Sequence, residues 1–206
     1  MSFEKTRPVI LIGGPPATGK STIATNLSKH LGIPWVSTDQ FRTFLQYIGD
    51  PEKAPALFET GDHTAESYHA KYGAQDIINH DLEQTKEIWP YIKDFIENDW
   101  SWTEGFIIEG VNIIPEVIAD DLKNMPNLRA VFIIDENAQR TKETIYKRGI
   151  WAPADTYPDY IKEKEIQWVT DAAQQLKRSC IDLNLPWLSV TKSNQDLTAL
   201  IKLLKL

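Results

Sequence analysis

Apolar residues in this chain come in short runs, and the period of the pattern changes from one run to the next. Residues 8–12 are a continuous β-branched and leucine run, which predicts a strand buried on both faces. From Lys20 the period turns helical. Ile23, Leu27 and Leu31 share a face, Gly32 ends the helix and Pro34 bars its restart. Residues 35–37 predict a second short strand, with Thr38 or Asp39 placed to cap a helix carrying Phe41, Phe44, Leu45 and Ile48. Residues 106–108 predict a third strand ending in Glu109-Gly110, residues 128–134 a fourth, and residues 187–190 a fifth. Helices fall between them, over 114–123, from a cap at Asp135 to about Arg148, and along a stripe of Ile161, Trp168, Ala172, Leu176 and Cys180. Residues 193–196 fit a capping box that opens a last helix ending at Leu204. Strands alternating with helices predict an α/β fold with a mainly parallel sheet.

Between residues 49 and 102 the strand signal vanishes. Ile77, Ile78, Leu82, Ile88, Ile92, Phe95 and Ile96 recur at helical spacing among acidic, histidine and tyrosine residues. This reads as a helical insertion into one domain spanning 1–206, whose core is 1–48 and 103–206. Such an insertion is a place to hold an acceptor. Residues 149–158 hold glycine, prolines and aromatic side chains, and they read as a short lid.

Composition narrows the partners. The 206 residues carry a formal net charge of −7 and six arginines, which argues against nucleic acid, a polynucleotide kinase included, and against an anionic membrane surface. No apolar run is long enough to span a bilayer. A single cysteine, Cys180, cannot form an internal disulfide and fits a core thiol in a reducing compartment, so a cytoplasmic location is expected. Monomer and homodimer both remain open.

The chemistry is concentrated in Gly14-Pro15-Pro16-Ala17-Thr18-Gly19-Lys20-Ser21, followed by Thr22, which matches G-x-x-x-x-G-K-[ST] between a strand and a helix. Glycine lets the backbone wrap an anion so that successive N–H groups converge on it. A helix N-terminus adds unsatisfied donors and partial positive charge. Lys20 is placed to reach β- and γ-phosphates and Ser21 to offer Mg²⁺ a hydroxyl, so ATP and Mg²⁺ are the expected cofactors. Asp39 and Arg42, one helical turn apart after the second strand, are candidates for a base or metal-water holder and for an anchor on the acceptor. Glu109, at the end of an apolar strand, takes the place of a second acid behind the metal. Arg140 and Arg148 are candidate cations for the transferring phosphoryl group. His63, His69 and His80 lack zinc-site spacing and read as surface or acceptor-pocket residues. Residues 191–194 are placed to border an adenine ring and do not spell a guanine reader, which argues against a GTPase. A second class stays open: a nucleotide-dependent switch or ATPase acting on a protein partner, whose insertion would present an exposed apolar face.

The phosphate loop with Ser21-Thr-Ile-Ala, the segment Val36-Ser-Thr-Asp-Gln-Phe-Arg42, and Ile107-Ile-Glu-Gly-Val-Asn-Ile-Ile-Pro115 together resemble the 2-phosphoglycerate kinase family. More broadly they resemble the nucleoside-monophosphate-kinase-like P-loop kinases. The resemblance implies a five-stranded parallel sheet in the order 2-3-1-4-5, an acceptor-binding insertion, a mobile lid, and phosphotransfer from Mg-ATP to a small-molecule acceptor. The chain departs from that pattern at Asn112, where the family usually has histidine, and in residues 151–160, which hold no arginine or lysine.

Overall fold

The computed structural model describes residues 7–61, 63–99, 101–190 and 197–204. Within them five strands, β1 (Val9–Gly13), β2 (Trp35–Ser37), β3 (Phe106–Gly110), β4 (Leu128–Ile134) and β5 (Trp187–Ser189), form an all-parallel sheet ordered β2-β3-β1-β4-β5. The expected fold class and strand order are therefore present. β1 begins and ends one residue later than its apolar run, because Gly13 still pairs with Gly110 and Phe132.

Alternation along β1 divides the core. Val9 and Leu11 face a cluster with Ile108, Phe132, Ile88 and Ile92, while Ile10 and Ile12 face Leu27, Ile107 and Leu200. The helices follow from this two-faced sheet. α1 (Lys20–Leu31) and α9 (Leu197–Leu204) cover one side. α5 (Ala74–Asn98), α6 (Pro115–Asn124) and α8 (Asp159–Asp182) cover the other. α2 (Thr38–Ile48), α3 (Pro55–Phe58) and α4 (Ala65–Lys71) precede α5, and α7 (Ala138–Arg148) precedes α8. Cys180 is fully buried, and burial pushes its thiol up to about 12, as a packed core cysteine should be.

Two local expectations are corrected. Ser37, not Thr38 or Asp39, caps α2: its Oγ accepts from the Asp39 N–H at 3.2 Å while Gln40 Oε1 accepts from the Ser37 N–H at 2.9 Å. The reciprocal box needs residues three apart, which 37 and 40 supply. Asn137, not Asp135, caps α7 by accepting from the Arg140 N–H at 3.0 Å, because Asp135 is engaged by the Arg140 side chain and the Asn137 N–H. On α2, Leu45 is buried and Phe41 packs partly buried on the core, while Phe44 and Ile48 are exposed together with Tyr47. The capping box at 193–196 and the loop at 191–194 lie outside the described residues.

Register brings the chemistry to one edge. Gly13 lies beside Gly110, and Ser37 beside Glu109, so the phosphate loop, the end of β3 and the start of α2 meet at the carboxyl end of the sheet. Gly110 makes that approach possible: a Cβ there would overlap the side chain of Thr38, which is fully buried. Gly110→Ala should cost about 2–4 kcal/mol, read as a lowered urea midpoint with an unchanged slope. An unshifted midpoint would show that α2 docks without this contact.

Candidate active site

The loop between β1 and α1 owes its shape to backbone rules. Gly14 packs its Cα hydrogens against the carbonyl of Ile133, where a Cβ would overlap. Gly19 has φ +85° with open space around it, so conformation alone selects glycine there. Ala17 also takes positive φ, at 63°, the strained position in the loop. α2, α4 and α7 carry side-chain caps, whereas the N-terminus of α1 has no side-chain cap and no acid in its first turn. Its donors open on a cavity of about 600 Å³ that Gly19, Lys20, Ser21 and Thr22 help line.

Lys20 is buried at 7% exposure, and its Nζ donates to the carbonyl oxygen of Pro15 at 2.7 Å. An ammonium has three N–H donors, and among the described residues this is the one hydrogen bond it makes, so it retains capacity for an anion. Thr18 Oγ1 donates to the same carbonyl at 2.9 Å. Burial brings the Lys20 ammonium down to about 8, with Arg148 pushing the same way and Glu109, Asp39 and Asp81 pulling it up. Ser21 Oγ donates to Glu109 Oε1 at 3.1 Å, which ties the first turn of α1 to the end of β3. A hydroxyl and a carboxylate side by side are hard oxygen donors of the kind Mg²⁺ takes, and a loop of convergent N–H groups with a buried ammonium suits a polyphosphate. The residues fit both groups.

Across the cavity stand Asp39 and Arg42, paired at 3.0 Å, and then side chains from α3 to α5, the lid and α8. Arg148, at the end of α7, lines it too and makes no ion pair among the described residues. The structure thus brings together Lys20, Ser21, Asp39, Arg42, Glu109 and Arg148 on one cavity. It directs Arg140 elsewhere. That guanidinium forks onto the buried carboxylate of Asp135 and donates to the carbonyl of Val190 at 2.5 Å, an arrangement that braces the ends of β4 and β5.

Residues 150–157 are tied down. Glu165, fully buried on α8, accepts from the Trp151 N–H at 3.2 Å and from the Tyr157 hydroxyl at 2.7 Å. Tyr157 in turn accepts from the Ile150 N–H at 3.1 Å. These bonds hold the segment that follows Arg148. Asn112, the departure from the family pattern, is fully buried and donates to Gln84 at 3.1 Å and Thr85 at 3.3 Å. It anchors the turn after β3 to α5.

Sequence reasoning missed Asp81. It falls on the same helical face as Ile77, Ile78 and Leu82, and a carboxylate on an apolar stripe is the signal that could have found it. Burial pushes Asp81 up to about 7 and Asp39 adds to the rise, against the pull of Arg42, Trp168 and Lys20. His63 and His80 line the cavity, whereas His69 is buried away from it and held down to about 4, mainly by burial with Lys164 adding to it.

A strand–phosphate loop–helix unit on a parallel sheet of order 2-3-1-4-5 defines the P-loop NTPase fold. Solved structures agree at the level of fold. A gluconokinase from Sinorhizobium meliloti 1021 superposes with TM-score 0.50 at 14% identity, covering 97% of this chain and 95% of its own. TT1252 from Thermus thermophilus superposes with TM-score 0.53 at 15% identity, covering 95% of each chain. In sequence, the resemblance to the 2-phosphoglycerate kinase family extends well beyond the motifs. A protein named 2-phosphoglycerate kinase from Methanococcus maripaludis is 33% identical over 160 residues, 74% of this chain and 49% of the relative. Those from Methanopyrus kandleri and Methanocaldococcus jannaschii are 26% and 29% identical over 75% of this chain, covering 49% and 50% of their own lengths. The chain spans about half the length of the curated relatives it matches. No protein-family model matches it.

The Lys20 environment carries a pH prediction. An anion binds the ammonium, so triphosphate affinity should hold up to a pH of about 8 and then fall by up to about tenfold per unit as the free protein loses that proton. Calorimetric titration from about pH 7 to about 10 checks it, with Lys20→Ala binding more weakly and showing no break. A flat wild-type profile would mean that the ammonium does not meet the phosphates.

Proposed function

We propose that this chain is an ATP-dependent phosphotransferase that moves the γ-phosphoryl group of Mg-ATP to a hydroxyl or phosphate oxygen of a small molecule. The observation that carries the reading is a single cavity. The uncapped N-terminus of α1, the buried Lys20 and the Ser21–Glu109 pair open into the same space as Asp39, Arg42 and the helices before β3. Relatives named 2-phosphoglycerate kinase support the same class.

In this reading residues 14–22 and the ammonium of Lys20 hold the phosphate chain. Ser21, with Glu109 behind it and Asp39 near it, would hold Mg²⁺, which would supply charge neutralisation to the phosphates when bound. The acceptor oxygen bonds to the γ-phosphorus as the bond to the β–γ bridging oxygen breaks, and ADP departs with that electron pair. Asp39 takes the acceptor's proton, Arg42 orients Asp39 and the acceptor, and Arg148 stabilises the charge on the transferring group. Arg140 acts on the sheet edge instead. The buried Cys180 fits a cytoplasmic enzyme.

A switch or ATPase acting on a protein partner draws on the exposed Phe44, Tyr47 and Ile48 of α2. One assay separates the two. ATP consumption with Mg²⁺ should be stimulated by one member of a panel of 2-phosphoglycerate, nucleoside monophosphates, shikimate, gluconate and amino alcohols. Asp39→Asn should lower the stimulated kcat by about 100-fold or more. Tight ATP binding with the same slow hydrolysis under every acceptor would favour the switch.

A further inference from the structure

The acceptor end of the cavity has an unusual charge balance. Beyond the phosphate loop and the hinge at Arg148, its lining holds one permanent cation, Arg42, against the carboxylates of Asp39, Glu59 and Asp81. Two of these have partners. Asp39 pairs with Arg42 at 3.0 Å. Glu59 accepts from the Tyr72 hydroxyl and pairs with Lys71 at 3.5 Å. Asp81 has no ion-pair partner among the described residues.

The walls around it are aromatic. Tyr68 from α4, Trp151 from the lid and Trp168 from α8 line the same space, with the Tyr68 and Trp151 rings 4.9 Å apart. Tyr68 and His80 are joined by a hydrogen bond of 3.1 Å, which fixes the Tyr68 ring. The groups facing Asp81 are Lys20 on α1, Asp39 and Arg42 on α2, Tyr68 on α4, and Trp168 on α8. A carboxylate set among ring faces recognises a cationic nitrogen through charge and cation–π attraction together. A phosphorylated acid would instead bring up to about three negative charges beside carboxylates that already outnumber the cations, a like-charge juxtaposition that disfavours binding.

We propose that the acceptor is a hydroxyl compound bearing a cationic nitrogen, which Asp81 and the Tyr68–Trp151–Trp168 walls hold while its hydroxyl faces the phosphate loop. This rests on the phosphotransferase reading for the last step only, since the nitrogen subsite can be tested by binding alone. Asp81 is a specificity-determining residue in this scheme, and Asp39 remains the base. Arg42 serves the Asp39 pair.

The test uses the whole chain with Mg-ADP present and three probes: choline, its uncharged isostere 3,3-dimethylbutanol, and 2-phosphoglycerate. Calorimetry should give choline an affinity at least about tenfold above the isostere. Because Asp81 sits near pH 7, a fixed cation beside it drives its proton off. Choline binding at that pH should therefore release on the order of half a proton, measured in buffers of different ionisation enthalpy. Asp81→Asn should abolish both the preference and the release, and Asp81→Glu should keep the preference. Equal affinity for choline and its isostere would overturn the proposal. So would tighter binding of 2-phosphoglycerate, or a preference that survives in a folded Asp81→Asn protein. If choline binds as expected but neither it nor any other amino alcohol stimulates ATP consumption, the nitrogen subsite stands and its assignment to the acceptor is overturned; the phosphotransferase reading fails only if no acceptor of the panel stimulates.

Discussion

An ammonium packed almost out of water has to be surrounded by compensating groups, and much of the site follows from that requirement at Lys20. The residue faces inward because it shares a helical face with Ala24 and Leu27, which pack on the sheet. One loop carbonyl meets it, and three carboxylates, Glu109, Asp39 and Asp81, raise its affinity for the proton against burial. Those acids come from β3, α2 and α5, three elements that share no local sequence. Parallel pairing of β1 with β3, and of β3 with β2, carries the first two to the lysine. The packing of α5 on α8 carries the third.

The second constraint is what α1 lacks. A helix N-terminus normally has its donors satisfied by a side chain or water. Here glycine stands at the cap and Lys20, Ser21 and Thr22 follow, so the donors are left for an anion. Elsewhere polar groups are satisfied within the chain. Glu165 holds the backbone after Arg148, Asn112 ties the β3 turn to α5, and, away from the cavity, the Asp135–Arg140 fork braces the ends of β4 and β5. The resemblance to related kinases implies a mobile lid. In this chain buried hydrogen bonds hold residues 150–157 against α8.

The strands and the phosphate loop were legible because both rest on short-range rules, whereas the sheet order came from the resemblance to the kinase family. Buried β-branched runs make strands, and a glycine-bounded loop before a helix makes an anion cradle. Helix caps were less legible, since Ser37, Thr38 and Asp39 can all cap, and only the reciprocal bond from Gln40 decides among them. Arg140 looked free because its partners, Asp135 and Val190, come together through β4–β5 pairing. Which apolar residues of α2 would be covered was not legible, because periodicity reports amphipathicity and not what covers it. Asp81 was passed over as one acid in an acid-rich stretch. Its surroundings include Trp168, 87 positions away, and no ion-pair partner among the described residues, neither of which is a local property.

Relatives named 2-phosphoglycerate kinase match three-quarters of this chain, which in turn spans half of theirs. The central claim is that the backbone of residues 14–22 closes on a phosphate chain. Amide hydrogen exchange, followed by mass spectrometry with and without Mg-ATP, tests it most directly. Slower exchange concentrated in 14–22 and in the first turn of α1, absent in Lys20→Ala, is the predicted result. Unchanged exchange there at saturating Mg-ATP would contradict the account, whatever activity the protein shows.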